Sequence, residues 1–458
     1  MELGRISVLP LLVLTFLIGF GVALVATSAS DRVSSNNEQA VEQARYLARQ
    51  GIMERGLSYL RSLKPSQLPT SRVDLPSGAV GDVGTYQDVY LVPDPEIADA
   101  QLGEPVPSFV VSATGVVKYV SDTGESMVIL RQESEKMRIA TFASFNYITH
   151  WELTIFGGYI SFWTPDTLWG RVHSNDWITI RERPTFYGLV TTCMPDFIHG
   201  PGYNPNFVNY DPEFSVPLVH FPQTVHFVRN CAAASGLTFN GQNMYVHRLQ
   251  FEGDAGVSVY RWVIGAPETD TLVFTSPPLF DQTMFFYGPL EMAGNVTGRV
   301  TVGCSSNIRL LDDIKYTDSG PHGELNPNST NMLGIISEGN IVIANTPENG
   351  RENSQWGSDI VINAAMMALG ESFTFEDQND VWEIYQGPYP DERGRIYLWG
   401  SVAQKRRGYV HRSNHGGTGY GKDYHYDDRF DRTSPPCFPI AVNEMGYSQF
   451  HLESWGAE

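Results

Sequence analysis

The chain has 458 residues, a formal net charge of −20 and only four cysteines. Its length allows two or three domains and a sizeable core. The negative charge argues against nucleic acid as a partner, because a phosphate-binding surface needs clustered lysines and arginines. With 43 glycines and 28 prolines, the chain beyond residue 64 has the composition of a β-rich protein.

The first 64 residues have helix-forming composition. Residues 6–30 carry no charged side chain, and an amphipathic pattern continues over residues 33–63 until Lys64 and Pro65 end it. A helix over residues 6–30 would be ~37 Å long, which is enough to cross a hydrocarbon core of ~30 Å. We therefore predict one long helix over residues 1–64 whose first half spans a membrane. A cleavable signal peptide is the alternative, since residues 26–28 are small, as at a cleavage site.

The apolar half of this helix also contains small side chains, which would allow close approach of a second helix. Pro10 allows a bend near its start. The side chains that we expect to insert in the membrane and then to pack in an assembly are Leu11, Leu14, Phe16, Leu17, Gly19, Phe20 and Ala23.

Residues 26–52 resemble the N-terminal segment of PilX-type minor pilins. In that family an apolar helix is followed by a polar step, here Asn36 and Asn37, and then by an alanine-rich amphipathic stretch that ends in a glycine, here Gly51. The resemblance implies processing after Gly4. Type IV pilins usually place Glu five residues beyond the processed glycine, and in this sequence Leu9 stands there.

The same resemblance implies a non-enzymatic protein of the bacterial cell envelope. It would lie in the inner membrane before assembly and afterwards at the cell surface or in a type IV pilus-like extracellular filament, as a subunit or as a minor or tip component. Its partners would be further copies or other pilin subunits, bound through the N-terminal helix. No cofactor is implied, and the sequence identifies no surface ligand for the β-rich body, which would serve structure or adhesion.

Residues 65–150 predict a small antiparallel meander. Strand-forming runs cover residues 108–113, 116–120 and 127–131, and Gly and Asp at the joints, among them Gly115, are typical of turns. The apolar face of the amphipathic helix would pack on this sheet. A helix packed on a small sheet is also the arrangement of a pilin head, as the resemblance implies.

Residues 151–458 contain short strand-forming runs that begin with glycine. Gly170 and Gly188 are 18 residues apart, and Gly298 and Gly334 are 36 apart, which would suit one and two turns of a solenoid. We predict an irregular parallel β-helix, with a β-sandwich as the alternative. The fold class is then α+β, mainly β. In the β-helix register, the side chains expected to face inward are Val172, Val300, Ile336 and Ile343.

This body also resembles an uncharacterised domain found behind PilX-like helices in bacterial surface proteins. The stretches that carry the resemblance are residues 170–175, 298–301, 334–343, 362–369 and 419–429. That family brings no enzymatic activity with it.

Several motifs invite a chemical interpretation. Residues 173–176 read His-Ser-Asn-Asp, but consecutive residues on a strand point to opposite faces, which favours a polar corner over a nucleophile. Residues 416–422 match a phosphate-binding loop up to Asp423, which stands where Mg²⁺ needs Ser or Thr. Histidines 411, 415 and 425 lie near several aspartates, although the intervening glycines argue against a helix that would bring them together on a metal.

Acidic and aromatic residues keep a rival function open, that of a membrane-anchored carbohydrate-active enzyme on a β-helix. A monomeric anchored adhesin is a third possibility. The carboxylates considered for catalysis are Asp312, Asp313, Glu338, Glu376 and Asp377. The tryptophans that would either stack on sugars or fill a core are Trp163, Trp169, Trp177, Trp382 and Trp399.

The four cysteines are Cys193, Cys231, Cys304 and Cys437, and none forms a C-x-x-C pair. This spacing gives no indication of zinc. Outside the cytoplasm they would form two disulfides in one of three connectivities, and free buried thiols are the alternative.

Overall fold

The computed structural model describes residues 37–94, 106–120, 125–154, 157–164, 166–241, 244–266, 269–350, 358–376, 391–412 and 418–452. Strands make up 48% and helices 13% of the structure. The predicted α+β class is therefore wrong, because the described part of the chain is mostly β with one helix of 24 residues.

Helix α1, residues 37–60, has 24 residues, and its middle turn, Ile52–Leu57, is π-helical. It carries charged side chains along its length, Glu42, Arg49 and Glu54 among them, because it is amphipathic. No helix within the described ranges combines the length and the apolar character that crossing a bilayer requires. The predicted span over residues 6–30 lies outside the described residues.

The strands of the first part of the chain are β1 (Val73–Leu75), β2 (Gly78–Val80), β3 (Gly84–Pro93), β4 (Ser108–Val120) and β5 (Ser126–Ile139). Ten further strands follow: β6 (Tyr147–Trp151), β7 (Ser161–Phe162), β8 (Thr167–Leu168), β9 (Val172–Ser174), β10 (Thr179–Ile180), β11 (Thr185–Phe186), β12 (Val190–Thr192), β13 (Ile198–His199), β14 (Asn206–Phe207) and β15 (Glu213–Phe214). Helix α2 (His226–Ser235) comes next, and Gly236 ends it in the left-handed conformation.

Beyond α2 the strands are longer: β16 (Thr238–Phe239), β17 (Tyr245–Glu252), β18 (Val257–Val263), β19 (Thr271–Ser276), β20 (Leu279–Phe286), β21 (Leu290–Val296), β22 (Gly298–Cys304), β23 (Ile308–Tyr316), β24 (Met332–Ser337), β25 (Ile341–Ile343), β26 (Ile360–Ala368), β27 (Phe373–Phe375), β28 (Asp391–Arg406), β29 (His411–Arg412), β30 (Thr418–His425) and β31 (Phe450–Leu452). Short 3₁₀ turns lie at Pro65–Gln67, Phe142–Ser144, Gly253–Ala255 and Asp428–Asp431.

Strands β1 to β5 and β31 form an antiparallel sheet on which α1 packs, and we call this unit the head. Strand β4 runs unbroken over 13 residues, so the turn predicted at Gly115 is absent from it. That glycine instead lies beneath α1, where it lets the helix approach the strand. The last strand, β31, pairs with β5 in the order Phe450 with Ile139, so the C-terminal end of the described chain returns to the head.

The remaining strands form the body, in which most neighbouring strands are parallel and stack in successive coils. One continuous sheet follows the order β16, β20, β22, β24, β26, β28, β6, β9, β12, β15. This order is not that of the chain. The chain enters the stack in its middle at β6, runs to one end, crosses over through α2, and returns from the other end until β28 pairs with β6.

The spacing of coils corrects one sequence interpretation. Val172 lies opposite Val190, which is 18 residues further on. Val300, however, lies opposite Leu333 in the neighbouring strand, so the 36 residues between Gly298 and Gly334 hold one coil with an insertion and not two turns.

The body has an inner and an outer apolar layer. Val172, Val300 and Ile343 lie in the inner core. Ile336 is also buried, but it faces the other way, into a layer beneath α2 and the segment around Phe438. The prediction that Ile336 faces inward is wrong, because the return of the C-terminal segment covers the outer face of this sheet as well.

Candidate functional site

Helix α1 rests directly on the head sheet. A Cβ atom at residue 115 would lie 1.8 Å from the carbonyl oxygen of Ala44 and 2.8 Å from the backbone nitrogen of Ala48, so only glycine fits there. On the helix side, a Cβ at Gly51 would lie 2.9 Å from the Tyr86 ring and one at Gly56 would lie 2.2 Å from the Val111 side chain. Because these residues are small, α1 packs closer to the sheet than a helix with larger side chains could. This explains why the buried face of the helix is rich in alanine.

The opposite face of α1 is exposed. Tyr46 on this face is 49% exposed, whereas Arg45 at its edge forms ion pairs with Glu42 at 2.9 Å and with Glu133 of the sheet at 3.7 Å. Exposed ion pairs of this kind contribute well under about 1 kcal/mol, so this face is not needed to hold the helix on the sheet. It is free for other contacts. The candidate processing residue Gly4 and the seven predicted assembly residues, Leu11, Leu14, Phe16, Leu17, Gly19, Phe20 and Ala23, lie outside the described residues.

The His-Ser-Asn-Asp motif forms a corner of the stack. The Ser174 hydroxyl accepts a hydrogen bond from the Asp176 backbone N–H at 3.1 Å. The same turn recurs in other coils at three further pairs: Thr192 with Met194, Ser337 with Gly339, and Cys304 with Ser306. The Ser174 position is therefore a repeated structural device of the body, and its hydroxyl is not directed at His173.

His173 points to the outer side of the sheet and is buried. Its Nε2 lies 2.9 Å from Asn175 Oδ1, and its Nδ1 lies 2.8 Å from the Thr191 hydroxyl. Burial lowers the pKa of His173 to about 4, and the hydrogen bond with Asn175 opposes this only in part. The imidazole is thus neutral at physiological pH.

The lysine of the glycine-rich segment and the described histidines near it contact three different carboxylates and form no common site. The Lys422 ammonium lies 3.7 Å from the Asp166 carboxylate, His411 pairs with Glu392 at 3.2 Å, and His425 contacts Asp423 at 2.8 Å. Residues 413–417 with His415 are outside the described residues. Within the described ranges, no group of three or more His, Cys, Asp and Glu side chains is placed to hold a metal ion.

The carboxylates considered for catalysis have structural partners. Glu376 accepts a hydrogen bond from Arg309 Nε at 2.6 Å, and Arg309 also pairs with Glu291, which binds Arg248 at 2.7 Å. Arginine and glutamate side chains thus alternate from one coil to the next. The remaining described carboxylates of this group also have partners. Glu338 pairs with Arg229 and accepts the backbone N–H of Val225 at 3.0 Å, Asp313 accepts the N–H of Val361 at 2.8 Å, and Asp312 accepts the N–H of Asp313 at 2.7 Å. Asp377 lies outside the described residues.

One disulfide, Cys231–Cys437, joins α2 to the C-terminal segment across 206 residues of sequence. Cys193 and Cys304 are free thiols. Burial raises the pKa of Cys193 to about 11 and that of Cys304 to about 12. Both thiols are therefore protonated at neutral pH, which makes them poor nucleophiles.

Sequence reasoning missed a ladder of aromatic rings on the body. Tyr187 stacks on Trp169 with ring centroids 4.0 Å apart, and His425 lies between Trp169 at 5.6 Å and Trp399 at 4.2 Å. These four residues occupy equivalent positions in neighbouring coils: Trp399 pairs with His425 in strands β28 and β30, and Trp169 and Tyr187 directly follow the paired strands β8 and β11. The signal in the sequence is an aromatic residue followed by glycine, at positions 169, 187 and 399.

A cleft of about 850 Å³ separates the head from the end of the body that carries β12 and β15. Arg61 and the β31 residue His451 line it from the head, and Trp169, Tyr187 and Tyr210 line it from the body. Burial lowers the pKa of His451 well below its ordinary value, and the nearby Arg171 and Arg138 lower it further. Burial likewise lowers the pKa of Arg61, while Glu213 opposes this.

No protein-family model and no curated protein matches the chain. Among solved structures, the chain is similar to the competence-associated pilin ComZ from Thermus thermophilus, with 12% identity and a TM-score of 0.33 over 91% of this chain and 97% of that one. The similarity is thus to a pilin, at low identity and low structural overlap. Assignment to the PilX type stays a prediction.

Proposed function

We propose that this chain is a non-enzymatic, pilin-like protein of the cell envelope that joins a filament through its N-terminal helix and displays its β-rich body outside. The observation that supports this most is the helix α1. One face of it packs on the head sheet at Gly51, Gly56 and Gly115, where an added Cβ would clash, and the opposite face is exposed. A helix that served only as a tether would not need such close docking.

The connection between head and body supports the same proposal. The body leaves the head after β5 and its last strand, β31, pairs with β5 again, so both ends of the body are attached to one sheet. A subunit built in this way can carry a large body without losing the fixed direction of its helix. The body then serves structure or adhesion at the surface or the tip of the filament.

The experiment compares Gly19→Leu with Val22→Leu in the native host. The first change adds a large side chain where a small one would allow close helix packing, whereas the second exchanges one large apolar residue for another. We expect both variants to insert in the membrane, because neither lowers hydrophobicity, and only Gly19→Leu to be depleted from the sheared extracellular fraction. Equal amounts of Gly19→Leu and wild-type protein in both fractions would contradict filament assembly and favour an anchored adhesin.

A further inference from the structure

The end of the head where β4 leads into β5 exposes four large apolar side chains. They are Val120, Met127, Val128 and Leu130, and their exposed fractions are 67%, 42%, 55% and 50%. Exposed apolar side chains that gather in one place are typical of a surface that contacts a protein or a membrane. This end of the head is therefore a candidate contact surface.

Three of these four side chains lie on the face of the head sheet that points away from α1. Gly115 and Val117 of β4 face the helix, and alternate residues of a strand point to opposite sides. The even-numbered residues of β4 and their partners in β5 therefore form the outer face. In order toward the β4–β5 turn, its pairs are Ser112 with Ser134, Thr114 with Gln132, Val116 with Leu130, Lys118 with Val128, and Val120 with Ser126. The outer face thus changes from polar to mainly apolar toward that turn.

Helix α1 begins at this same end of the head. The Tyr119 hydroxyl donates a hydrogen bond to Asn37 Oδ1 at 3.4 Å. The predicted membrane segment ends at residue 30, and the seven residues from 31 to 37 can reach at most about 25 Å. In the membrane-inserted form the apolar end of the head is therefore held next to the bilayer, which makes a lipid surface the occupant that the chain itself brings to this face.

We propose that the outer face of this hairpin end rests on the lipid surface while the chain is inserted in the membrane. Val120 and Val128 lie at the boundary between head groups and acyl chains. The long side chain of Lys118, between them, reaches anionic head groups while its methylene groups stay on the apolar surface. Asp122 and Glu125 favour such a shallow contact, because carboxylates are costly deeper in a bilayer. The inference rests on the membrane segment of the proposed function and adds a second lipid contact, made by the head.

The test uses the full-length chain reconstituted in vesicles of equal parts phosphatidylcholine and phosphatidylglycerol. A photoreactive benzophenone amino acid replaces Val120. In the matched control it replaces Leu272, which is 52% exposed on strand β19 of the body. After irradiation, lipid adducts are measured by mass spectrometry of the purified protein. We expect adducts at position 120 and none above background at position 272.

A second change separates contact from mere proximity. Val128→Glu in the chain labelled at position 120 should lower the adduct yield several-fold, because a carboxylate on this face opposes contact with lipid. Gln132→Glu adds the same charge to the polar part of the same face, so it should leave the yield unchanged.

Three results would each overturn the inference: equal adduct yields at positions 120 and 272, adducts to a second protein copy in place of lipid, or an unchanged yield with Val128→Glu. Flotation of the chain with the vesicles is measured in the same samples. A chain that floats but forms no lipid adduct contradicts this contact alone, whereas a chain that does not float contradicts the membrane segment of the proposed function as well.

Discussion

Histidines buried in the neutral form make the body sensitive to acid. His173 and His247 lie on different parts of the stack, and burial lowers the pKa of each to about 4. In the unfolded chain a histidine binds its proton near pH 6.5. Between these two pH values the unfolded state holds more protons than the folded state, so stability falls as the pH is lowered through this window and levels off below pH 4.

For His173 the expected loss between pH 7 and pH 4 is about 3 kcal/mol, from a pKa difference of about 2.5 units. Replacing it by Gln, which does not titrate, should therefore reduce the pH dependence of the free energy of unfolding, although it lowers stability at pH 7. The measurement is urea denaturation at pH 7, 5.5 and 4.5.

His199→Gln is the control, because this histidine is half exposed and its replacement removes no buried imidazole. If His173→Gln shows the wild-type dependence as well, His173 is not the neutral buried group described above.

At the scale of elements, the contact of α1 with β4 is the closest in the head. Ala44 and Ala48 are fully buried above Gly115, and the helix backbone leaves no space for a side chain there. The same contact brings Leu47 against Val117 and Ile52 against the rest of the head core. Since α1 carries the link to the predicted membrane segment, the direction of that link depends on this close contact.

Gly115→Ala should destabilise the head by about 3 kcal/mol, because its methyl group would displace the helix backbone and not merely a side chain. Limited proteolysis should then cut within α1 at protease concentrations that leave the wild type intact. Gly158→Ala is the control, since a Cβ there would meet only the Thr154 hydroxyl, at an ordinary 3.6 Å. Equal resistance of the two variants would mean that α1 can shift at little cost.

At the scale of the whole molecule, the stack closes where β28 meets β6. Val402 pairs there with Tyr147, and Arg407 binds Glu152 at 2.7 Å although 255 residues separate them. Both side chains are buried, with exposures of 2% and 0%. The joint thus combines strand pairing with a buried ion pair, which makes misaligned pairing of the two half-stacks costly because it would leave a buried charge unpaired.

Arg407→Met should cost about 3 to 5 kcal/mol, because it leaves the Glu152 carboxylate buried without its partner. Adding Glu152→Gln should recover part of that loss in urea denaturation, since the uncompensated charge is then removed. Arg72→Met, which breaks an exposed pair with Asp74, should cost less than about 1 kcal/mol. A double variant no more stable than Arg407→Met would show that packing, and not the ion pair, holds the joint.

What the sequence determined by itself is local. The periodicity of residues 33–63 indicates an amphipathic helix, and the glycine-led runs of the body indicate short strands, because side-chain alternation depends only on neighbouring residues. The corner at Ser174 was also readable, since consecutive residues of a strand cannot converge on one substrate. The aromatic residues before Gly170, Gly188 and Gly400 are visible in the sequence. That they stack on one another becomes apparent only when the coils are aligned.

The tertiary structure decided the order in which these elements meet. Nothing local in β6 specifies β28 as its neighbour, and nothing local in residues 450–452 specifies β5, because parallel and edge pairings are selected by packing between segments distant in sequence. Gly115 shows the same limit at one residue: glycine is typical of turns, and only the helix above it reveals that here it permits close packing. The cleft, the Cys231–Cys437 disulfide and the covered outer face at Ile336 all follow from that long-range order.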